Sequence, residues 1–313
     1  MKTDRGVNLT TGSTIAAIDM GSNSFHILIA EMTHSHWQPC YVAERKVQLA
    51  AGSEGGVLQL ASQERALQCL QEFKQILSRY GAVPIHIVAT ASLRGMRNAG
   101  EFCEQVQCLL GVTPEIVSGE EEAELVYLGV CSEMASFSAG QLVVDIGGGS
   151  TELAFGETES MLRGRSVAVG CLSYLRYFPE GRLTKLDFDA AYGAARREFD
   201  RAVAELAVPP LMRVVGCSGT LLAVEQVLVA QGKHCAGIYR ADLRRLVRDL
   251  QGFSHLDSVI FVGLPEDRQS IFASGLAIVL ALFDALNIEQ MTVSERGLRE
   301  GILERCYLAA RAD

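Results

Sequence analysis

Two stretches of this 313-residue chain set a carboxylate just ahead of a turn stripped of bulk. The first reads Ile18-Asp19-Met20-Gly21-Ser22-Asn23-Ser24-Phe25-His26-Ile27. The second, 126 residues later, reads Val144-Asp145-Ile146-Gly147-Gly148-Gly149-Ser150-Thr151-Glu152-Leu153. Both run apolar-Asp-apolar-Gly-small-small-Ser, with apolar residues before each Asp. A glycine-rich turn lets several backbone N–H groups converge on one anion, because absent side chains permit close approach. Ser22, Asn23, Ser24, Ser150 and Thr151 add neutral donors. Each Asp ends an apolar run, where a carboxylate is costly without a partner. Asp19 and Asp145 can hold a cation that neutralises phosphate charge. One Asp-x-Gly turn alone reads as an ordinary tight hairpin. Two matching copies favour a pair of clamps that grip a phosphate chain across a cleft.

The remaining reactive side chains are less directive. Glu120, Glu121 and Glu122 open an apolar helix after Ser118-Gly119, and spacing alone reads all three as first-turn carboxylates that complement the helix dipole. Cys217 lies beside a Gly-Ser-Gly turn and reads as a small buried residue at a strand end rather than a nucleophile. His34 and His36 lack a third ligand nearby and read as surface histidines. His26 takes the place of Glu152 in the first repeat and reads as a packed strand histidine.

The elements that must position these residues alternate. Strands are expected at 15–20, 25–31, 84–90, 114–117, 142–146, 152–155, 166–169, 212–216 and 291–293. Helices are expected at 65–80, 101–110, 120–129, 187–207, 220–230, 241–250, 269–286 and from 298 onward. Strand hairpins open each of two rounds, which is the pattern of two mixed-sheet α/β domains. The segment 132–140 reads as a loop rather than a tether.

Bulk properties bound the function. Hydrophobic residues make up 49% and charged residues 21%, with a net charge of −9. This balance supports sizeable cores and gives no general pull on nucleic acid or anionic membranes, so a polyanion must be held by a local site. Residues 1–14 do not read as a signal peptide, and no apolar run reads as a bilayer span. Nine scattered cysteines without a CxxC pair suggest reduced thiols and a cytoplasmic protein.

Five blocks carry a resemblance: Ala17–His26 (AIDMGSNSFH), Ile116–Ala123 (IVSGEEEA), Val143–Leu153 (VVDIGGGSTEL), Gly216–Thr220 (GCSGT) and Ser294–Gly301 (SERGLREG). Together they resemble the exopolyphosphatase/guanosine pentaphosphate phosphohydrolase (Ppx/GppA) family, in a short form lacking a C-terminal HD-type domain. The resemblance runs from about residue 15 to 308. It implies two actin-like, ribonuclease H-like domains of the sugar-kinase/actin superfamily with a cleft between them. The first is expected over 12–124 with a returning helix at 297–313, and the second over 125–296.

The resemblance also implies roles. Its phosphate loops fall on Gly21, Ser22, Asn23 and Ser24, and on Gly147, Gly148, Gly149, Ser150 and Thr151. Its catalytic glutamate falls on Glu122, and its Mg²⁺-binding acids on Asp145 and Glu152. A phosphate-contacting arginine falls on Arg94, with Asn98 beside it; a solvated surface arginine is an equal reading. Gly216, Ser218, Gly219 and Thr220 either touch a nucleotide or pack a helix onto the sheet. Glu295 stands where relatives carry Asp.

The expected activity is Mg²⁺-dependent release of a terminal phosphate from inorganic polyphosphate or guanosine pentaphosphate, by a homodimer. An ATP-dependent kinase or ATPase of the same superfamily is one alternative. A non-catalytic polyphosphate or alarmone sensor is the other.

Overall fold

The computed structural model describes residues 12–51, 54–132, 140–158, 160–209, 213–233 and 237–312. The start of the chain, the expected loop over 133–139 and Cys235 lie outside them. The chain divides into two units, Met1–Ser132 with Leu298–Asp313, and Glu133–Gly297. Helix 119–131 therefore belongs wholly to the first unit, whereas the sequence reading divided the chain at 124.

The first unit contains β1 (Thr14–Met20), β2 (Ser24–Met32), β3 (Trp37–Lys46), α1 (Leu60–Leu77), β4 (Ile85–Ala89), α2 (Ala91–Arg94), α3 (Ala99–Leu110), β5 (Glu115–Ile116) and α4 (Gly119–Cys131). Its sheet runs β3-β2-β1-β4-β5. The first three strands pair antiparallel, and β4 and β5 join parallel. Ile15 to Met20 are all buried, as expected of a central strand covered on both faces. On one face, α1 buries Ala66, Leu70, Phe73 and Leu77 at helical spacing, and α3 buries Phe102, Cys103 and Val106.

The second unit contains β6 (Gln141–Ile146), β7 (Thr151–Glu157), β8 (Ser160–Val167), α5 (Lys185–Leu206), β9 (Arg213–Cys217), α6 (Gly219–Ala230), β10 (Ile238–Tyr239), α7 (Arg240–Leu250), α8 (Gln269–Leu286) and β11 (Gln290–Ser294). Its sheet runs β8-β7-β6-β9-β11-β10. Apart from the short β10, the order and strand senses repeat those of the first unit: three antiparallel strands, then two parallel ones. Each unit is thus a copy of one mixed sheet, the actin-like and ribonuclease H-like arrangement.

The last helix, α9 (Leu298–Ala312), belongs to the first unit and packs on α4 and β1, as expected of a returning helix. A Cβ on Gly301 would fall 1.7 Å from the Leu125 carbonyl oxygen. Only glycine lets the two helix backbones approach this closely.

Two strand expectations change. Strand β3 was not foreseen, and the hairpin partner expected at 166–169 is the longer Ser160–Val167. By length and composition alone, Glu266–Leu286 is apolar enough to cross a membrane, with mean hydropathy 1.8. Its apolar residues serve the core of the second unit instead: Phe272, Leu276, Val279 and Phe283 are buried among α5, α6 and α7.

Candidate active site

The two turns are built alike. Gly21 N donates to Ser24 O at 3.1 Å, and Gly147 N donates to Ser150 O at 2.9 Å. A Cβ would meet that same oxygen at 2.8 Å on Gly21 and at 3.2 Å on Gly147. The carbonyls of each turn are tied from behind. Asn23 O accepts from Val47 N and Gln48 N, and Ser22 O from Ala50 N. Gly147 O accepts from Cys171 N, and Gly148 O from Leu172 N and Ser173 N. Gly170 makes the second approach possible, since a Cβ there would lie 2.4 Å from Gly148 O. The amides of Ser22, Asn23, Gly148, Gly149 and Ser150 have no acceptor among the described residues. Unpaired donors held on a rigid loop are what an anion site requires.

In the first unit the three glutamates part ways. Glu121 closes a capping box with Ser118: Ser118 N donates to Glu121 Oε2 at 2.7 Å, and Glu121 N donates to Ser118 Oγ at 3.2 Å. Glu120 is exposed. Glu122, one residue further round, is only 6% exposed. Burial pushes its carboxyl up and the charge of Asp19 adds to this. The hydrogen bond and charge of Arg94, with the Thr90 hydroxyl, oppose it, and the balance lies at about 7.

Arg94 Nη1 donates to Glu122 Oε2 at 2.9 Å and to Val117 O at 2.8 Å. Its Nε and Nη2 have no acceptor among the described residues, so the guanidinium is anchored and keeps donors to offer. It is not the free surface arginine. Asn98 does not join it: both of its amide atoms are spent on the backbone of Leu58.

Asp19 is 8% exposed and faces His26 across β1 and β2. His26 Nδ1 lies 3.1 Å from Asp19 Oδ2, and Nε2 lies 3.5 Å from Glu44 Oε1. Burial alone would lower the imidazole pKa; the two carboxylates outweigh it and raise it to about 9. Asp19 Oδ1 and Asn23 Oδ1 are buried with no partner among the described residues.

In the second unit Asp145 faces Glu152 across β6 and β7, and Glu152 faces Ser166 across β7 and β8. Glu152 is 1% exposed and its Oε1 accepts from Ser166 Oγ at 2.7 Å. No group of three His, Cys, Asp or Glu that could hold a metal occurs among the described residues. A facing pair of carboxylates beside unpaired loop amides nevertheless fits Mg²⁺, which takes one or two carboxylates and fills its shell with water and phosphate oxygens. Thr151, fully buried, donates to Val169 O at 2.6 Å and so serves the loop's frame.

The match to the Ppx/GppA phosphatase family spans residues 28–309. This chain belongs to that family. It is 39% identical over 290 residues to the guanosine-5'-triphosphate,3'-diphosphate pyrophosphatase of Vibrio cholerae serotype O1, covering 92% of this chain and 58% of that protein. The chain therefore spans a little under three fifths of the curated relatives it matches. Among solved structures it resembles an exopolyphosphatase-like protein (TM-score 0.85, 23% identity, 95% of this chain and 98% of the other). It also resembles an exopolyphosphatase from Cytophaga hutchinsonii (TM-score 0.83, 23%, 94% and 98%) and the Aquifex aeolicus Ppx/GppA family member (0.78, 24%, 95% and 98%). These structures bear on the fold.

The Gly216–Thr220 block of this Ppx/GppA protein serves the Asp145 strand. Thr220 Oγ1 donates to Ile146 O at 2.9 Å, and Cys217 Sγ to Val144 O at 3.6 Å. A Cβ on Gly216 would meet Leu221 and Met291 side chains at 2.6 Å. Packing thus accounts for Gly216, Cys217 and Thr220. Ser218 is different: its φ of 117° is strained for any residue but glycine, while its Oγ caps Leu221 N. Over Gly219 lies the Arg268 guanidinium, which a Cβ would meet at 2.2 Å.

Sequence reasoning missed Thr90, Glu44, Ser166, Gly170 and Arg268. Extending the repeat to the third strand would have found Glu44 and Ser166. Arg268 belongs to no motif and is recognisable only from the space over Gly219. His34 and His36 are exposed, as expected.

Proposed function

We propose that this protein hydrolyses a terminal phosphoanhydride, with guanosine pentaphosphate as a substrate and inorganic polyphosphate as a second. The observation that carries the reading is Glu122. It is a buried carboxyl in the unit of one anion loop, raised to about 7, and bonded to an arginine with donors to spare. A base poised near the working pH is what abstraction of a proton from water needs. The name of the Vibrio cholerae relatives supports the guanosine substrate.

Ser22, Asn23 and Ser24, and Gly148, Gly149 and Ser150, would hold phosphoryl oxygens through backbone amides and hydroxyls, with Gly147 and Thr151 shaping the second loop. Arg94 would keep one Nη on Glu122 and present the other to a phosphate oxygen. Glu122 Oε would accept the proton of the attacking water. Asp145 and Glu152 would hold Mg²⁺, which supplies charge neutralisation on the phosphate chain. Arg268 at Gly219 would add a cation on the side where a nucleotide could lie. The eight described cysteines are all free thiols, in keeping with a cytoplasmic setting.

The test is phosphate release from guanosine pentaphosphate, polyphosphate and ATP in parallel, with Mg²⁺ and with EDTA. Release from either of the first two, lost in EDTA, supports the reading. Turnover of ATP alone would favour the kinase or ATPase alternative. Tight binding without turnover would favour the sensor.

A further inference from the structure

The first anion loop is held by a segment that is itself held. Val47 N and Gln48 N donate to Asn23 O at 2.9 and 2.7 Å, and Ala50 N donates to Ser22 O at 3.2 Å. A peptide is planar, so fixing the Ser22 oxygen from behind fixes the direction of the unpaired Asn23 N–H in front. The backing segment is irregular: Gln48 has a φ of 52°, a left-handed conformation that a residue of its kind keeps only where its surroundings hold it. Arg65 of α1 supplies that hold. Its Nε donates to Val47 O and its Nη2 to Gln48 O, both at 3.0 Å. Nη2 also donates to Ser62 Oγ at 2.9 Å, and Nη1 donates to Ala61 O at 3.1 Å. Ser62 Oγ passes its own proton to Ala51 O at 2.8 Å. The peptide between Val47 and Gln48 is thus gripped on both sides, its oxygen by Arg65 and its N–H by Asn23 O. In the second unit the matching segment is held by fully buried Ser274, whose Oγ donates to Cys171 O at 2.7 Å. Arg65 is exposed, so its contribution lies in the fixed fork of its guanidinium rather than in an unscreened charge.

We propose that Arg65 is a positioning residue for the first anion loop. It makes no hydrogen bond to that loop, and acts through Val47, Gln48 and Ala51 on the direction in which the loop's amides meet a phosphate. The proposal rests on the reading of Gly21–Ser24 as a phosphate site.

The test uses the full chain with Glu122→Gln as parent, so that ligand is not consumed, and titrates guanosine pentaphosphate and inorganic tripolyphosphate calorimetrically with Mg²⁺ present. Adding Arg65→Gln should weaken whichever ligand binds by about 5–10-fold. Arg65→Lys keeps the charge without the fork and should weaken it about as much. With Glu122 restored, Arg65→Gln should raise KM by the same factor and leave kcat within about twofold, because a loosened loop loses grip on ground and transition states alike. Hydrogen exchange should quicken at the amides of Val47, Gln48 and Ala50 and stay unchanged over 147–151. Parental affinity in a folded Arg65→Gln chain, whatever its thermal transition, overturns the proposal and spares the loop reading. Parental affinity in Arg65→Lys overturns it too, since charge would then suffice, as does a fall in kcat with KM unchanged. Binding of neither ligand by the parent sinks the loop reading, and the proposal with it. Should Arg65→Gln fail to fold, Arg65→Lys decides the matter together with Ser62→Ala, which frees Ala51 O and should weaken binding about 2–3-fold.

Discussion

The turn at Gly21–Ser24 and the turn at Gly147–Thr151 share a sequence pattern, a strand register and an N–H to C=O closure, yet their surroundings have diverged. Around the first, the buried groups manage protons: Glu122 near neutrality, Arg94 against it, and His26 charged between two acids. Around the second, the buried groups are a carboxylate pair with a serine orienting one of them. A duplicated anion loop can thus be kept while the strand positions facing it are rewritten for different work. Each loop's carbonyls are tied from behind, which leaves its amides for ligand and allows the flanking side chains to change.

The comparison breaks most sharply at Glu122. Glu122→Gln keeps the shape and removes the proton acceptor, so kcat should fall ~10²–10⁴-fold with the thermal transition preserved. A loss that small variants of the second loop reproduce in kcat alone would erase the division of labour. Ser166→Ala tests the other side. Glu152 would lose its orienting donor, and apparent Mg²⁺ affinity, read from the metal dependence of turnover, should fall ~10–100-fold. The same substitution should leave the pH profile in place.

Smaller effects sharpen the frame. Gly301→Ala would push α9 from α4, the helix that carries Glu122, and should destabilise the chain by about 1–3 kcal/mol in urea unfolding. Ser218→Gly relieves the strained φ at the loss of a weak cap. Urea unfolding should show a gain of roughly 0.5–1 kcal/mol, after allowing for glycine's greater unfolded entropy. A loss there instead would mean that the Ser218 hydroxyl does more than cap α6.

Much of this was legible in the residues. The apolar runs before Asp19 and Asp145, and the small residues after them, specify strand then turn, because few side chains fit such a turn. Helices α1 and α3 announce themselves by spacing. Strand β3 does not: it is an edge strand, mostly exposed, with Pro39 and the charged Glu44, Arg45 and Lys46, so it lacks an apolar signal. The three glutamates were equivalent in spacing, and only the rotation of α4 separates the capping Glu121 from the buried Glu122. The pairing of His26 with Glu44 depends on strand register, which a single stretch of sequence does not carry.

The central claim is that Glu122 takes the proton of the attacking water, and the pH dependence of kcat/KM for guanosine pentaphosphate tests it most directly. A base acts when deprotonated, so the rate should rise with pH below about 7 and level off above it. Because Arg94 holds the Glu122 carboxyl down, Arg94→Gln should move that limb to higher pH, and Glu122→Gln should abolish it. A limb near 7 that persists unchanged in Glu122→Gln, at a rate close to wild type, would contradict the account.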